Sequence, residues 1–143
     1  MSVHDAVMNS AAETSLEAPS KAQLITGRVL GALAVLFLVV DGVMKLIQPE
    51  SVLKASAPLG FTSGMLLGIG IALLLSTALY VIPRTSVLGL ALLTAYLGGA
   101  VCIMVRFSMP VFNLVFPILF AVFLWVSLWL RLPRMRVLFP IVR

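Results

Sequence analysis

Asp41 and Lys45 stand four residues apart in a stretch, Val29 to Ile47, that carries no other charge. On a helix this spacing places them one turn apart on one face, with the lysine stem long enough to reach back to the carboxylate. Three more polar side chains lie among apolar neighbours: Tyr96, Arg106 and Asn113, with Pro117 one turn after Asn113. An acid, two cations, a phenol and an amide form a hydrogen-bonding set suited to a polar headgroup in an apolar cleft. They do not form a bond-cleaving set. The single histidine, His4, lies near the N-terminus, and there is no HExxH, no CxxC, no phosphate-cradling Gly-Lys loop and no Ser–His–acid arrangement. No catalytic residue and no metal site is expected, and the lone Cys102 cannot form an internal disulfide. With Val101 and Ile103 beside it, Cys102 reads as a small packing residue.

The elements that position these residues must lie in a membrane. Of 143 residues, 62% are hydrophobic and 10% charged, and the mean hydropathy is +1.17. A water-soluble domain of this size would lack polar cover, whereas a lipid-facing surface needs none. Four apolar runs, at about 25–47, 64–82, 86–105 and 110–130, each approach the roughly 20 residues that cross about 30 Å of hydrocarbon as a helix. The last three contain no charged residue. The expected fold is an all-α integral membrane four-helix bundle, with residues 1–20 a disordered tail and 21–143 the transmembrane domain. Short turns at Pro83–Thr85 and Arg106–Met109 force antiparallel neighbours. The longer connection, 48–63, reads as a short interfacial helix started by Pro49, stopped by Pro58 and carrying Val52 and Leu53.

Orientation follows from the basic residues. With an even number of spans, Lys21, Arg28, Arg84, Arg131, Arg134, Arg136 and Arg143 share one side, against Lys45, Lys54 and Arg106 on the other. Both termini are therefore expected in the cytoplasm. Trp129 and Tyr80 fall at the expected inner interface as aromatic anchors. From Arg28 as the inner edge, Asp41 lies roughly 20 Å and Lys45 roughly 25 Å up the helix. An unpaired carboxylate at that depth costs about 2.5–3.5 kcal/mol on insertion scales, so it should pair inside the bundle. The same arithmetic brings Tyr96, Arg106 and Asn113 to the outer half. Pro117 leaves the carbonyl of residue 113 without its helical donor, beside the Asn113 amide. Asp41, Lys45, Tyr96, Arg106 and Asn113 are thus read as one buried polar site. The alternative is a structural ion pair, a loop arginine and a proline kink. Gly27-xxx-Gly31, Gly64-xxx-Gly68 and Gly98-Gly99 are read as places where helices pack closely inside the bundle.

Several stretches carry a family likeness. Val39-Val40-Asp41-Gly42-Val43-Met44-Lys45-Leu46-Ile47-Gln48-Pro49, with Leu59-Gly60-Phe61 ahead of the second span, resembles the first-helix signature of the DoxX-like family. Leu79 to Gly89 resembles its turn between helices two and three, Thr94 to Val101 its third helix, and Val105-Arg106 and Phe116-Pro117 match as well. The resemblance covers about 28–140 and implies a compact four-helix membrane bundle. The family takes its name from a small membrane subunit of a thiosulfate:quinone oxidoreductase, and the likeness implies a bacterial inner-membrane protein linked to quinone or redox chemistry. Family-like sequences often carry one histidine two residues before the arginine ending helix three and another early in helix four. Here the chain reads Ile103-Met104-Val105-Arg106 and Phe112-Asn113-Leu114-Val115. Roles that need imidazole are put in doubt, while Asp41, Lys45, Tyr96 and Arg106 remain as matching positions.

The expected function is that of a non-catalytic membrane subunit or binding module, at most part of a quinone-linked oxidoreductase. No tightly bound cofactor is expected, quinone being the candidate ligand. The bilayer is the main partner, a membrane or soluble redox protein is a further one, nucleic acid is not, and the chain is compatible with an oligomer. Two alternatives stay open: a small proton-coupled transporter using Asp41, and a structural or assembly protein of a membrane complex. For the orientation, a Ser2→Cys variant in intact cells is expected to resist an impermeant thiol reagent; labelling from outside would reverse the assignment.

Overall fold

The computed structural model describes residues 2–16 and 18–138. Arg143, one of the basic residues used for orientation, lies outside them. In chain order the helices are α1 (Val3–Leu16), α2 (Lys21–Ile47), α3 (Glu50–Ser56), α4 (Ser63–Val81), α5 (Ser86–Arg106), α6 (Val111–Arg131) and α7 (Pro133–Leu138), with a 3-10 turn at Ala57–Leu59. No strand occurs among the described residues. Helices α2, α4, α5 and α6 are long and apolar enough to cross a membrane, as the hydropathy predicts, and only 22–33% of each apolar span is buried inside the bundle.

Local chemistry sets the boundaries. Helix α2 begins at Lys21, earlier than the apolar run at 25, because Ser20 and Gln23 form a capping box. The Ser20 hydroxyl accepts from the Gln23 N–H at 3.2 Å, and Gln23 Oε1 accepts from the Ser20 N–H at 3.0 Å. At 27 residues, α2 is about 40 Å long, so its first turns extend past the hydrocarbon or the helix tilts. Pro49 caps α3 where the 48–63 connection was expected to turn helical, and Pro58 falls in the 3-10 turn that ends it. Within the segment read as a disordered tail, α1 is helical. Its start is capped by Ser2, whose Oγ accepts from the Asp5 N–H at 3.2 Å while the Asp5 carboxylate accepts from the Ser2 N–H at 3.1 Å. The Ser2 hydroxyl and amide hold the Asp5 carboxyl below its ordinary range. Residues 2–10 are exposed, so capping rather than burial accounts for the start of this helix, which lies along α7.

The four long helices form a ring in which α2 and α5 each touch α4 and α6 and face one another across the diagonal. Leu38, Leu73, Leu90, Leu93, Leu124 and Leu128 fill the centre and are buried. Helices α1 and α7 and the Ile82–Thr85 turn lie at one end, called proximal here; α3 and the Phe107–Pro110 turn lie at the other, distal end. In lipid the apolar outer faces gain little from burial, so close packing and hydrogen bonds between helices hold the bundle. Gly27 and Gly31 pack against α6, as expected: a Cβ at Gly27 would lie 2.9 Å from Arg131 Cγ, and one at Gly31 would lie 2.5 Å from Ser127 Oγ. Ser127 Oγ donates to the Gly27 carbonyl at 2.6 Å.

Three expectations change. Gly64, Gly68, Gly98 and Gly99 have open space where a Cβ would go, so they do not bring helices together within this chain. Tyr80 is no interfacial anchor: it is 2% exposed and donates to the Leu124 carbonyl at 3.0 Å, because its face of α4 points inward. Cys102 is exposed on the outer surface rather than packed.

Helices α4 and α5 meet tightly near their turn, where a Cβ on Gly89 would strike the Tyr80 backbone nitrogen and Cα. No flexible side chain can yield there. Gly89→Ala is therefore expected to lower thermal stability in mild detergent by an amount equivalent to about 1–3 kcal/mol. Gly64→Ala, which meets nothing, should leave the melting temperature unchanged or slightly raised, and equal melting temperatures for the two variants would contradict this packing.

Candidate functional site

The polar residues of α2 lie in its distal half, facing inward. Lys45 Nζ donates to Asp41 Oδ1 at 2.5 Å, and Tyr96 OH donates to Asp41 Oδ2 at 3.1 Å. The ion pair joins neighbouring turns of one helix, whereas the phenol comes from α5 across the diagonal. Both carboxylate oxygens thus have donors within the protein, as an acid at this depth requires. The pair is not sealed off: the Lys45 and Asp41 side chains are 18% and 33% exposed. Lys45 carries three donors and uses one on Asp41, which leaves N–H groups to offer at the cavity wall.

Glycines bring the neighbouring helix in beside this pair. A Cβ on Gly70 of α4 would lie 3.0 Å from Lys45 Cβ and 3.1 Å from the Gly42 carbonyl oxygen, and one on Gly42 would lie 2.8 Å from Leu74 Cγ. Small residues at this crossing let α2 and α4 approach and fix the direction in which Asp41 and Lys45 project.

A cavity of about 460 Å³ opens against the pair, within the range of small-molecule sites. Its wall includes Asp41, Lys45, Tyr96, Asn113 and Pro117, and otherwise it is mostly apolar, with Phe37, Phe61 and Phe116 among the lining residues. Four of the five residues predicted to form one site therefore share one cavity. Arg106 does not: it is exposed in the last turn of α5 and absent from the cavity wall. Near a helix C-terminus its charge is favourably placed against the helix dipole. Asn113 is exposed and its Nδ2 approaches Met109 Sδ at 3.8 Å, a weak contact that leaves the amide available.

The distal cap was not legible as part of the site. Gln48 ends α2 in the left-handed conformation, with φ of 51°. Its Nε2 donates to the Ser63 carbonyl at 2.7 Å, while Ser63 Oγ donates back to Gln48 Oε1. This clasp closes the 48–63 segment over the cavity, and Ser56, Leu59 and Phe61 of that segment line it. The sequence signal was slight: a glutamine before Pro49 and a serine at the next helix start. Among the described residues no group of histidine, cysteine, aspartate or glutamate could hold a metal ion. What this arrangement can do chemically is hold a polar head by hydrogen bonds with apolar and aromatic surfaces around it.

Residues 29–127 match the model of the DoxX-like family, a span that reaches into all four membrane helices. No curated protein and no solved structure matches the chain.

The coupling inside the site can be measured. Lys45→Met leaves Asp41 with the Tyr96 hydrogen bond alone and is expected to cost about 1–3 kcal/mol, less than a fully buried pair because both groups are partly exposed. Adding Asp41→Asn should recover more than half of that loss. A double variant no more stable than Lys45→Met alone would show that the two residues are not coupled.

Proposed function

The chain belongs to the DoxX-like family, and from that premise we propose that it is a non-catalytic membrane binding module that holds a quinone headgroup in the distal cavity. The observation that carries this reading is the cavity itself, an apolar chamber with the Lys45 ammonium and the Asp41–Tyr96 hydrogen bond at one wall. A quinone presents two carbonyl acceptors on a planar apolar ring. Lys45 supplies unused N–H donors for one carbonyl, Asn113 an amide for the other, and Phe37, Phe61 and Phe116 surfaces for the ring. No residue here carries electrons, so oxidation or reduction belongs to a partner.

This reading puts the protein in a bacterial inner membrane with its termini in the cytoplasm, where the exposed Arg134 and half-buried Arg131 meet a redox partner or anionic headgroups. The Asp41–Lys45 pair weighs against the proton-coupled transporter, because a cation one turn away competes with any cationic substrate for the carboxylate.

The test is titration of decylubiquinone into the full chain in lipid nanodiscs, read by native mass spectrometry and calorimetry. One equivalent is expected to bind, and Lys45→Met should weaken binding roughly tenfold, the value of one hydrogen bond to a charged donor. Arg106→Ala, outside the cavity, should leave affinity unchanged. Absence of saturable binding, or Lys45→Met binding as well as the unaltered protein, would remove the quinone reading.

A further inference from the structure

The cavity has two boundaries of different kinds. Toward the distal end it meets the 48–63 segment, which the Gln48–Ser63 clasp holds in place and which presents Leu59 and Phe61 to the interior. Sideways its wall includes Ala95 and Gly99 of α5, both exposed on the outer surface while lining the cavity. Phe37, Asn113 and Phe116 also do both, but there aromatic rings stand in the wall, Phe37 stacked on Phe120 and Phe116 against Phe112, whereas Ala95 and Gly99 have no side chain large enough to cover it. A Cβ on Gly99 would meet nothing within 4 Å. The facing part of α4 contributes Leu66 and Ile69 to the same wall, and Gly68 beside them also has open space around it.

Helices α4 and α5 touch backbone to backbone at Tyr80 and Gly89, next to their short turn. Toward the distal end Leu66 and Ile69 of α4 and Ala95 and Gly99 of α5 line the cavity together. Small residues at Ala95 and Gly99 leave a window in this wall.

Depth decides what the window faces. Gly99 is seven residues and Ala95 eleven residues before Arg106 at the end of α5, or about 10 Å and 16 Å below that end. Asp41, seven residues before Gln48, lies about 10 Å below the end of α2. Window and polar pair are thus level, and both lie at the depth of acyl chains rather than of headgroups.

We propose that the cavity is loaded sideways from the bilayer through the Ala95–Gly99 window, so that its ligand is a lipid-dissolved amphiphile whose polar head meets Lys45 and Asp41 while its chain stays between α4 and α5. This rests on the reading of the cavity as a binding site and adds to it the route and the ligand class. An aqueous solute would instead enter from the distal end, past the clasped cap or beside the exposed Asn113. A lipid-dissolved molecule needs no opening of the cap, and its head trades an apolar medium for hydrogen bonds.

The test needs no ligand. In a Cys102→Ser background, Ala100→Cys places a small thiol on the cavity wall next to the window. The full chain in nanodiscs is treated with N-dodecylmaleimide, which resides in the bilayer, or with a charged methanethiosulfonate confined to water. Each rate is normalised to the same reagent acting on a Ser108→Cys variant, in the exposed distal turn. The normalised bilayer rate is expected to exceed the water rate, and adding Gly99→Trp should slow it roughly tenfold, since both reagents meet the same thiolate and only access differs. Gly99→Trp projects into open space, so retained thermal stability is expected and is measured alongside. Faster reaction from water, or a bilayer rate unaffected by Gly99→Trp, would overturn lateral entry. With no quinone present, this outcome is independent of the decylubiquinone titration: sideways access without quinone binding sinks the headgroup assignment alone, and quinone binding with access from water sinks the window alone.

Discussion

A carboxylate placed among lipid chains must find its hydrogen-bond donors inside the protein, and the rest of this structure is arranged around that need at Asp41. One donor comes from the same helix, Lys45, at a distance that the sequence spacing nearly dictates. The other comes from Tyr96 on the helix diagonally opposite. A tie across the diagonal fixes the rotation of two helices that face each other across the ring, while the four sides of the ring are set by neighbour contacts. The polar group that would penalise insertion thus becomes the element that defines how the distal half is assembled.

The two ends of the bundle are held differently. Proximally, Gly27 and Gly31 sit against α6, Ser127 donates to the Gly27 carbonyl, Tyr80 donates to the Leu124 carbonyl, and Gly89 meets the backbone of α4. These are close backbone approaches reinforced by hydrogen bonds, the usual means by which helices associate where the hydrophobic effect is weak. Distally, Gly42 and Gly70 join α2 to α4, and a cavity lies among α2, α4, α5 and α6. A bundle packed uniformly from end to end would have no room for a ligand. Tight packing at one end lets the other stay open without loss of the fold.

The same residue type has opposite consequences at different places. Gly-xxx-Gly at 27 and 31 is a packing surface, whereas the identical spacing at 64 and 68 looks onto empty space. Polar side chains behave likewise: Tyr96 lines the cavity, while Tyr80, at the proximal end of another helix, is a buried structural tie. Arg106 and Asn113 were both expected at the site from their depth. Direction around the helix separated them, since Asn113 reaches the cavity wall and Arg106 does not.

Sequence by itself determined the class of solvent, the number and approximate positions of the spans, the antiparallel order and the Asp41–Lys45 pair. These depend on composition, run length and contacts one turn apart, all written along the chain. It also placed Tyr96 and Asn113 at the right level, because rise per residue is fixed. Tertiary structure alone decided which helix faces met. That choice turned Tyr96 toward Asp41, buried Tyr80, left Arg106 outside, clasped Gln48 to Ser63 and opened the wall at Ala95 and Gly99. In soluble proteins an apolar stripe announces the inward face, but a membrane helix is apolar all round, so the periodicity that would reveal its rotation is nearly absent from the sequence.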